Sequence, residues 1–354
     1  MKNKANKECA VNPRLGCVGG QAVMEGIMMR GKTQYTTAVR LPDGTIVRDT
    51  HPNKSIKDKH KWLNIPVLRG CVNFVETLKL SFSTLTFSAE ALGEELEEEE
   101  TKFEKWLTKV FGKSLMMVVA TVGMVLGVAL AVSLFIFLPT LFSGWITSWI
   151  DFGSGEQVFR SVFEGILKIA IFVLYVSLIS LLPDIRRTFE YHGAEHKSIF
   201  CYEAGEELTV ENIKKQKRLH PRCGTSFMIV MMLLGILIGM LIPTMNVFLR
   251  TGIRLLILPL IVGIGYEILM YAGKHDNALI RFLTKPGIWM QLITTKEPDD
   301  RQIEVAIAAL RSALPNEYAE DAVFRGFEEA RPKEKEEAEA AEEVTKEASE
   351  DAVQ

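Results

Sequence analysis

The sequence predicts a mainly α-helical, polytopic membrane protein, with four transmembrane helices and a small β-containing unit ahead of them on the cytoplasmic side. Three observations carry this prediction. Four long apolar blocks interrupt a charged chain, basic residues gather at one set of their ends, and two alternating segments joined by a turn precede them. Hydrophobic residues make up 48% and charged residues 24% of the 354, so a slightly positive mean hydropathy reflects segregation rather than uniform greasiness.

The first unit covers residues 1–61. Residues 36–41 and 45–50 alternate around Pro42-Asp43-Gly44, where proline presets φ and glycine permits a positive one, so the pair reads as a β-hairpin. The polar N-terminus is followed by no apolar run with a cleavage site and does not read as a secretory signal. The second unit, residues 62–113, holds an amphipathic helix over 62–92, with Phe74, Leu78, Phe82 and Leu85 on one side. Such a helix suits either the bilayer interface or a soluble core. An acidic run at 94–100 follows as a solvated face or linker.

The third unit, residues 114–272, contains the apolar blocks 115–142, 162–182, 227–249 and 253–272. Each approaches or exceeds the roughly 20 residues that span a hydrocarbon layer of about 30 Å. Lipid offers no partner to backbone N–H and C=O groups, so these blocks must be helices. Lys102 to Lys113 precede the first block, eight basic residues lie in the loop 183–224, and Lys274, Arg281 and Lys285 follow the fourth. The outer loops hold little beyond Arg160, Arg250 and Arg254, so both termini are placed on the cytoplasmic side of the membrane. A cytoplasmic segment, 273–327, and an acidic tail, 328–354, which lacks the apolar stripe that would order it, complete the chain.

A net charge of -3 gives no basic field, which argues against nucleic-acid partners. Five scattered cysteines form no paired framework and fit a reducing compartment.

Candidate chemistry sits in the loop 183–224. There the run Tyr191-His192-Gly193-Ala194-Glu195-His196-Lys197, if helical, sets His192 and His196 on one face. That is the H-x-x-E-H arrangement, in which two imidazoles bind a divalent metal and Glu195 orients or deprotonates a water. A hydrogen-bonded interfacial patch is the plainer alternative. The third ligand is a contest among His220 and Cys223, which flank a turn before the third block, and Glu267 inside the fourth, where a carboxylate needs a partner. A cysteine ligand points first to Zn²⁺, whereas an all-His/Glu set leaves Mn²⁺ or Fe²⁺ open. His275 and Asp276 stand nearby at the cytoplasmic mouth. Upstream, Gly19 to Gly31 mixes glycines with Gln21, Glu25 and Arg30 but lacks both the P-loop ending and the Rossmann spacing, so no nucleotide site is read there.

Taken together, Gly-Gly-Gln-Ala-Val-Met-Glu-Gly-Ile-Met-Met-Arg-Gly, Tyr-His-Gly-Ala-Glu-His-Lys and His-Pro-Arg-Cys-Gly-Thr-Ser closely resemble the YqhQ-like family of bacterial membrane proteins. The resemblance covers about residues 14–312 and implies a polytopic protein of a family described as predicted metal-dependent enzymes. It carries over His192, Glu195, His196, His220 and Cys223 as motif positions, with Gln21, Glu25 and Arg30 from the first motif.

The leading expectation is a metal-dependent, hydrolytic enzyme at the cytoplasmic face, taking an amphipathic or membrane-delivered substrate past the helix at 62–92. A non-enzymatic membrane scaffold or assembly factor is the alternative. Transport ranks third, since four spans without internal repeats give it little support.

Overall fold

A computed structural model describes residues 14–93, 114–243, 246–272, 278–318 and 327–329. The chain is mainly helical, with a small sheet at its N-terminal end. Strands β1 (Gly19–Val23), β2 (Gly26–Arg30), β3 (Gln34–Arg40) and β4 (Ile46–Pro52) form an antiparallel meander. The expected hairpin is β3–β4, with Arg40 opposite Ile46 and the Asp43 carboxylate accepting from the Thr45 N–H and hydroxyl at 2.7 and 2.8 Å. A short strand, β5 (Phe327–Glu329), joins β4 in parallel, so the segment assigned to the tail begins in a sheet.

Helices follow in the order α1 (Ile56–Lys59), α2 (Leu68–Gly93), α3 (Ser114–Val132), α4 (Leu138–Trp149), α5 (Glu156–Ile179), α6 (Pro183–Ala204), α7 (Val210–Lys215), α8 (Gly224–Gly239), α9 (Val247–Ala272), α10 (Ala278–Thr294) and α11 (Asp300–Ala313). A π-helical turn, Ser133–Phe137, joins α3 to α4 without a break.

The inner face of the sheet is closed by α11 and α6. Ile27, Met29, Ala38 and Ile46 from the strands share one core with Ile303, Ala306, Ile307 and Leu310 of α11 and Tyr191, Ala194 and Ile199 of α6. A meander cannot bury its apolar face alone, and α11 supplies the missing layer. Its start is fixed by a capping box: Asp299 accepts from the Gln302 N–H at 2.8 Å while the Gln302 side chain accepts from the Asp299 N–H at 2.9 Å. The segments read from sequence as separate units, 1–61 and 273–327, therefore share a single core.

Among the described residues, three helices are long and apolar enough to cross a membrane: Val125–Trp149, Gly153–Ile179 and Val247–Tyr271. The third expected block, 227–249, is not one helix. α8 stops at Gly239, Pro243 follows, and Asn246 restarts the chain by accepting from the N–H groups of Phe248 and Leu249 at 2.8 and 3.1 Å. Its last residues thus belong to α9, and the 16 residues of α8 extend only about 24 Å. Arg160, Arg250 and Arg254, assigned from sequence to outer loops, lie within α5 and α9.

Helix α2 is inverted relative to a soluble amphipathic helix. Its buried residues are Gly70, Thr84 and Ser88, while Phe74, Val75, Leu78 and Phe82 face outward. The acidic run 94–100, His275, Asp276 and residues 330–354 lie outside the described residues.

Candidate metal centre

Helix α6 carries the H-x-x-E-H run, as its spacing requires. Pro183 opens the helix, where its missing N–H costs nothing, and Gly205 closes it at φ +74°, its N–H returning to Tyr202 O at 3.0 Å. Gly193 is a close-approach glycine: a Cβ there would overlap the carbonyl oxygen of Lys296. The linker from α10 to α11 crosses α6 at this point, and the Lys296 N–H donates to Phe189 O at 2.8 Å. This crossing sets the end of α10 beside His192.

The two imidazoles are fixed by backbone carbonyls. His192 Nδ1 lies 2.8 Å from Thr294 O and His196 Nδ1 lies 2.6 Å from Arg218 O. A carbonyl only accepts, so each Nδ1 carries a proton and each ring turns its Nε2 away from that carbonyl. The Nε2 of His192 faces Cys223 Sγ at 3.2 Å, and that of His196 is buried with no hydrogen-bond partner. Cys223 Sγ also accepts from the Thr225 hydroxyl at 3.3 Å. One donor atom from each of His192, His196 and Cys223 falls within 4.8 Å of the others, and they are the one such group among the described residues. A tetrahedral ion with bonds of about 2.0–2.3 Å requires donors roughly 3.3–3.8 Å apart, so modest contraction closes the set. The residues present fit a divalent ion: the partnerless Nε2 of His196, the Nε2 of His192 and the sulfur that it touches converge, and each Nδ1 is engaged elsewhere.

Glu195 is 5% exposed and its carboxylate lies 3.9 Å from His192 Nε2. Burial pushes its pKa up to about 7, against a smaller downward pull from His192. Gly20 of β1 lies directly over this side chain, where a Cβ would come within 2.8 Å of its Cγ and Oε1. Gly20 of the first motif therefore lets the sheet edge seal the carboxylate.

The other sequence candidates are placed differently. His220 sits beside the cluster, its ring 5.4 Å from that of His196, but both its nitrogens are engaged. Nδ1 accepts from the Arg222 N–H at 3.3 Å and Nε2 faces Glu203 at 4.0 Å, with burial holding its pKa below the usual histidine value. Glu203 is buried too, accepting from Gly16 N–H and Arg222, and it ties the chain entering the sheet to the turn that carries Cys223. Glu267 is not brought to the cluster. It accepts from Arg69 Nε at 2.7 Å and from the Val67 N–H, a pairing that meets the need of a carboxylate in an apolar helix. Within the first motif, Gln21 accepts from Ser81 of α2, Glu25 from Arg187 and Tyr191 of α6, and Arg30 donates to Asn53. Gln21 and Glu25 dock the sheet onto its neighbours, and Arg30 ties β2 to the chain leaving β4.

Two contributors escape sequence reasoning. Gln291 of α10 clasps the backbone of His220, accepting from its N–H and donating to its carbonyl at 2.7 Å each. The carbonyls of Arg218 and Thr294, which set both tautomers, have no side-chain signature at all.

Comparison with known proteins gives two findings. Residues 65–316 match the family model described as a protein of unknown function, DUF1385. The chain is also 37% identical over 297 residues to the uncharacterized protein YqhQ of Bacillus subtilis (strain 168), covering 84% of this chain and 92% of that one. No solved structure matches it.

Proposed function

Because the chain belongs to the YqhQ-like DUF1385 family, a reading of its site must come from the chemistry of its residues, and we propose that it is a metal-dependent, hydrolytic enzyme of the bacterial inner membrane. One observation carries the proposal: two imidazoles, held at Nδ1 by backbone carbonyls, turn their Nε2 atoms to the space beside Cys223. His192, His196 and Cys223 would hold the ion, and the sulfur favours Zn²⁺. Three protein ligands leave one position open for water or substrate. When bound, the ion supplies Lewis acidity. Glu195, poised near neutrality by burial, accepts a proton from the attacking water and returns it to the leaving group. Gly20 and the sheet edge keep bulk water from that carboxylate.

Three apolar helices support insertion in a bilayer, and α8 serves as a fourth, short crossing whose mismatch the membrane absorbs by thinning. The basic loop between α5 and α8 then lies in the cytoplasm together with both termini. The outward apolar face of α2 favours the interface over a soluble core, and an amphipathic substrate would reach the site along it.

Metal analysis of the purified full-length protein tests the ligand set. Wild type is expected to hold about one zinc per chain, and His192→Ala, His196→Ala and Cys223→Ser to fall below about a tenth of that, with Glu267→Gln unchanged. Equal metal in wild type and the histidine variants rejects the assignment. Glu195→Gln separates enzyme from scaffold, because a general base demands loss of cellular function at normal expression.

A further inference from the structure

At the far end of the apolar helices, remote from the metal centre, lies a second polar cluster. Glu164 of α5, 2% exposed in its side chain, accepts from Ser143 at 2.7 Å and pairs with Arg254 and Arg250 of α9, the latter through Nε at 3.4 Å. Arg254 also donates to Thr140 at 3.0 Å. Arg250 is fully buried and spreads its charge over Ile242 O, Pro243 O and Ser161, each at 3.2 Å. Arg160 is neutralised separately by Glu156 at 2.8 Å. One turn beyond Glu164, Lys168 makes no hydrogen bond or ion pair among the described residues. Three cations thus stand against one carboxylate, within helices that are otherwise apolar.

Lys168 and Arg254 line a cavity of about 50 Å³, walled by Gly235, Ile238, Ile242 and Ile257. Beside it Leu237 of α8, Leu241 just beyond the end of α8 and Leu256 of α9 are exposed. Since α8 ends at Gly239, the membrane surface is drawn toward this level, within reach of a lipid head. An ammonium without a partner in such surroundings is stabilised by an anion.

We propose that this cavity is an oxyanion site, in which Lys168 and Arg254 hold the phosphate or carboxylate of an amphiphile whose chain lies along the exposed leucines of α8 and α9. The proposal rests on the bilayer reading and is independent of the metal centre.

The test uses the full-length, delipidated protein in neutral detergent. Native mass spectrometry is expected to show phosphatidylglycerol retained about tenfold over phosphatidylcholine, a preference lost in Lys168→Met, restored in Lys168→Arg and kept in Lys285→Met. Unfolding temperatures of the variants confirm that each is folded. If inorganic phosphate alone stabilises wild type but not Lys168→Met, the source is the free oxyanion and the site stands. The site is overturned if wild type shows neither selectivity nor stabilisation, or if folded Lys168→Met binds like wild type, leaving Lys168 as a side chain reaching for the surface. A chain that stays soluble without detergent refutes the bilayer reading instead, and phosphate remains the probe of the cavity.

Discussion

The two buried polar clusters are out of balance in opposite directions. Around His192 and His196 both Nδ1 atoms are taken by carbonyls, and what is left over is a buried Nε2 on His196 without a partner, beside the His192 Nε2 and the sulfur. Around Glu164 the acceptors are used up, and what is left over is N–H groups on arginine and lysine. A surplus of lone pairs calls for a cation, and a surplus of protons calls for an anion. The comparison teaches that the sign of a missing partner can be read from hydrogen-bond accounting, because burying an unmatched group is costly whichever sign it carries.

Replacing a buried carboxylate in each cluster should give opposite signs, which is the sharpest test of the contrast. Glu164→Gln strands two arginines and is expected to destabilise the protein by about 3–5 kcal/mol, seen as a lower unfolding temperature in detergent. Glu195 behaves in reverse. Its folded pKa, about 7, lies above the ordinary 4.5, so its contribution to stability is complete below pH 4.5 and lost as pH rises through 7. Glu195→Gln does not titrate, and in metal-free protein at pH 8 it should be the more stable by up to about 3 kcal/mol, the gap closing as pH falls toward 4.5. A destabilised Glu195→Gln at pH 8 would break the comparison.

Smaller effects locate the edges of the centre. Asp299→Ala removes the cap of α11 and should cost about 1 kcal/mol, measured by chemical denaturation. Glu267→Gln should cost less still, since its pair with Arg69 is partly exposed, and the metal content should not move.

Much of this was legible in the chain. The hairpin followed from Pro42-Asp43-Gly44, and the shared face of His192 and His196 from their spacing. The end of α8 was harder, because an unbroken hydropathy run hid the stop signalled by Pro243 and Asn246. The helix α11 had its signals, Asp299 three residues before Gln302 and apolar residues at 303, 306, 307 and 310, but they were diluted by the charges around them. Glu267 entered the contest for third ligand because a carboxylate in an apolar block needs a metal, histidine or arginine partner and the sequence does not show which; Arg69 lies 198 residues away. The tautomer-setting carbonyls could not be read at all, since every residue has one.

The oxygen that orients His192 belongs to a residue 102 positions downstream. During synthesis the first imidazole therefore leaves the ribosome long before its orienting neighbour exists, and α8, α9 and α10 must be laid down in between. On the proposed function, a nascent chain would offer a metal only floppy, proton-competed ligands until Thr294 arrives, so loading would be a late event that reports the completion of the helices on which the pocket stands.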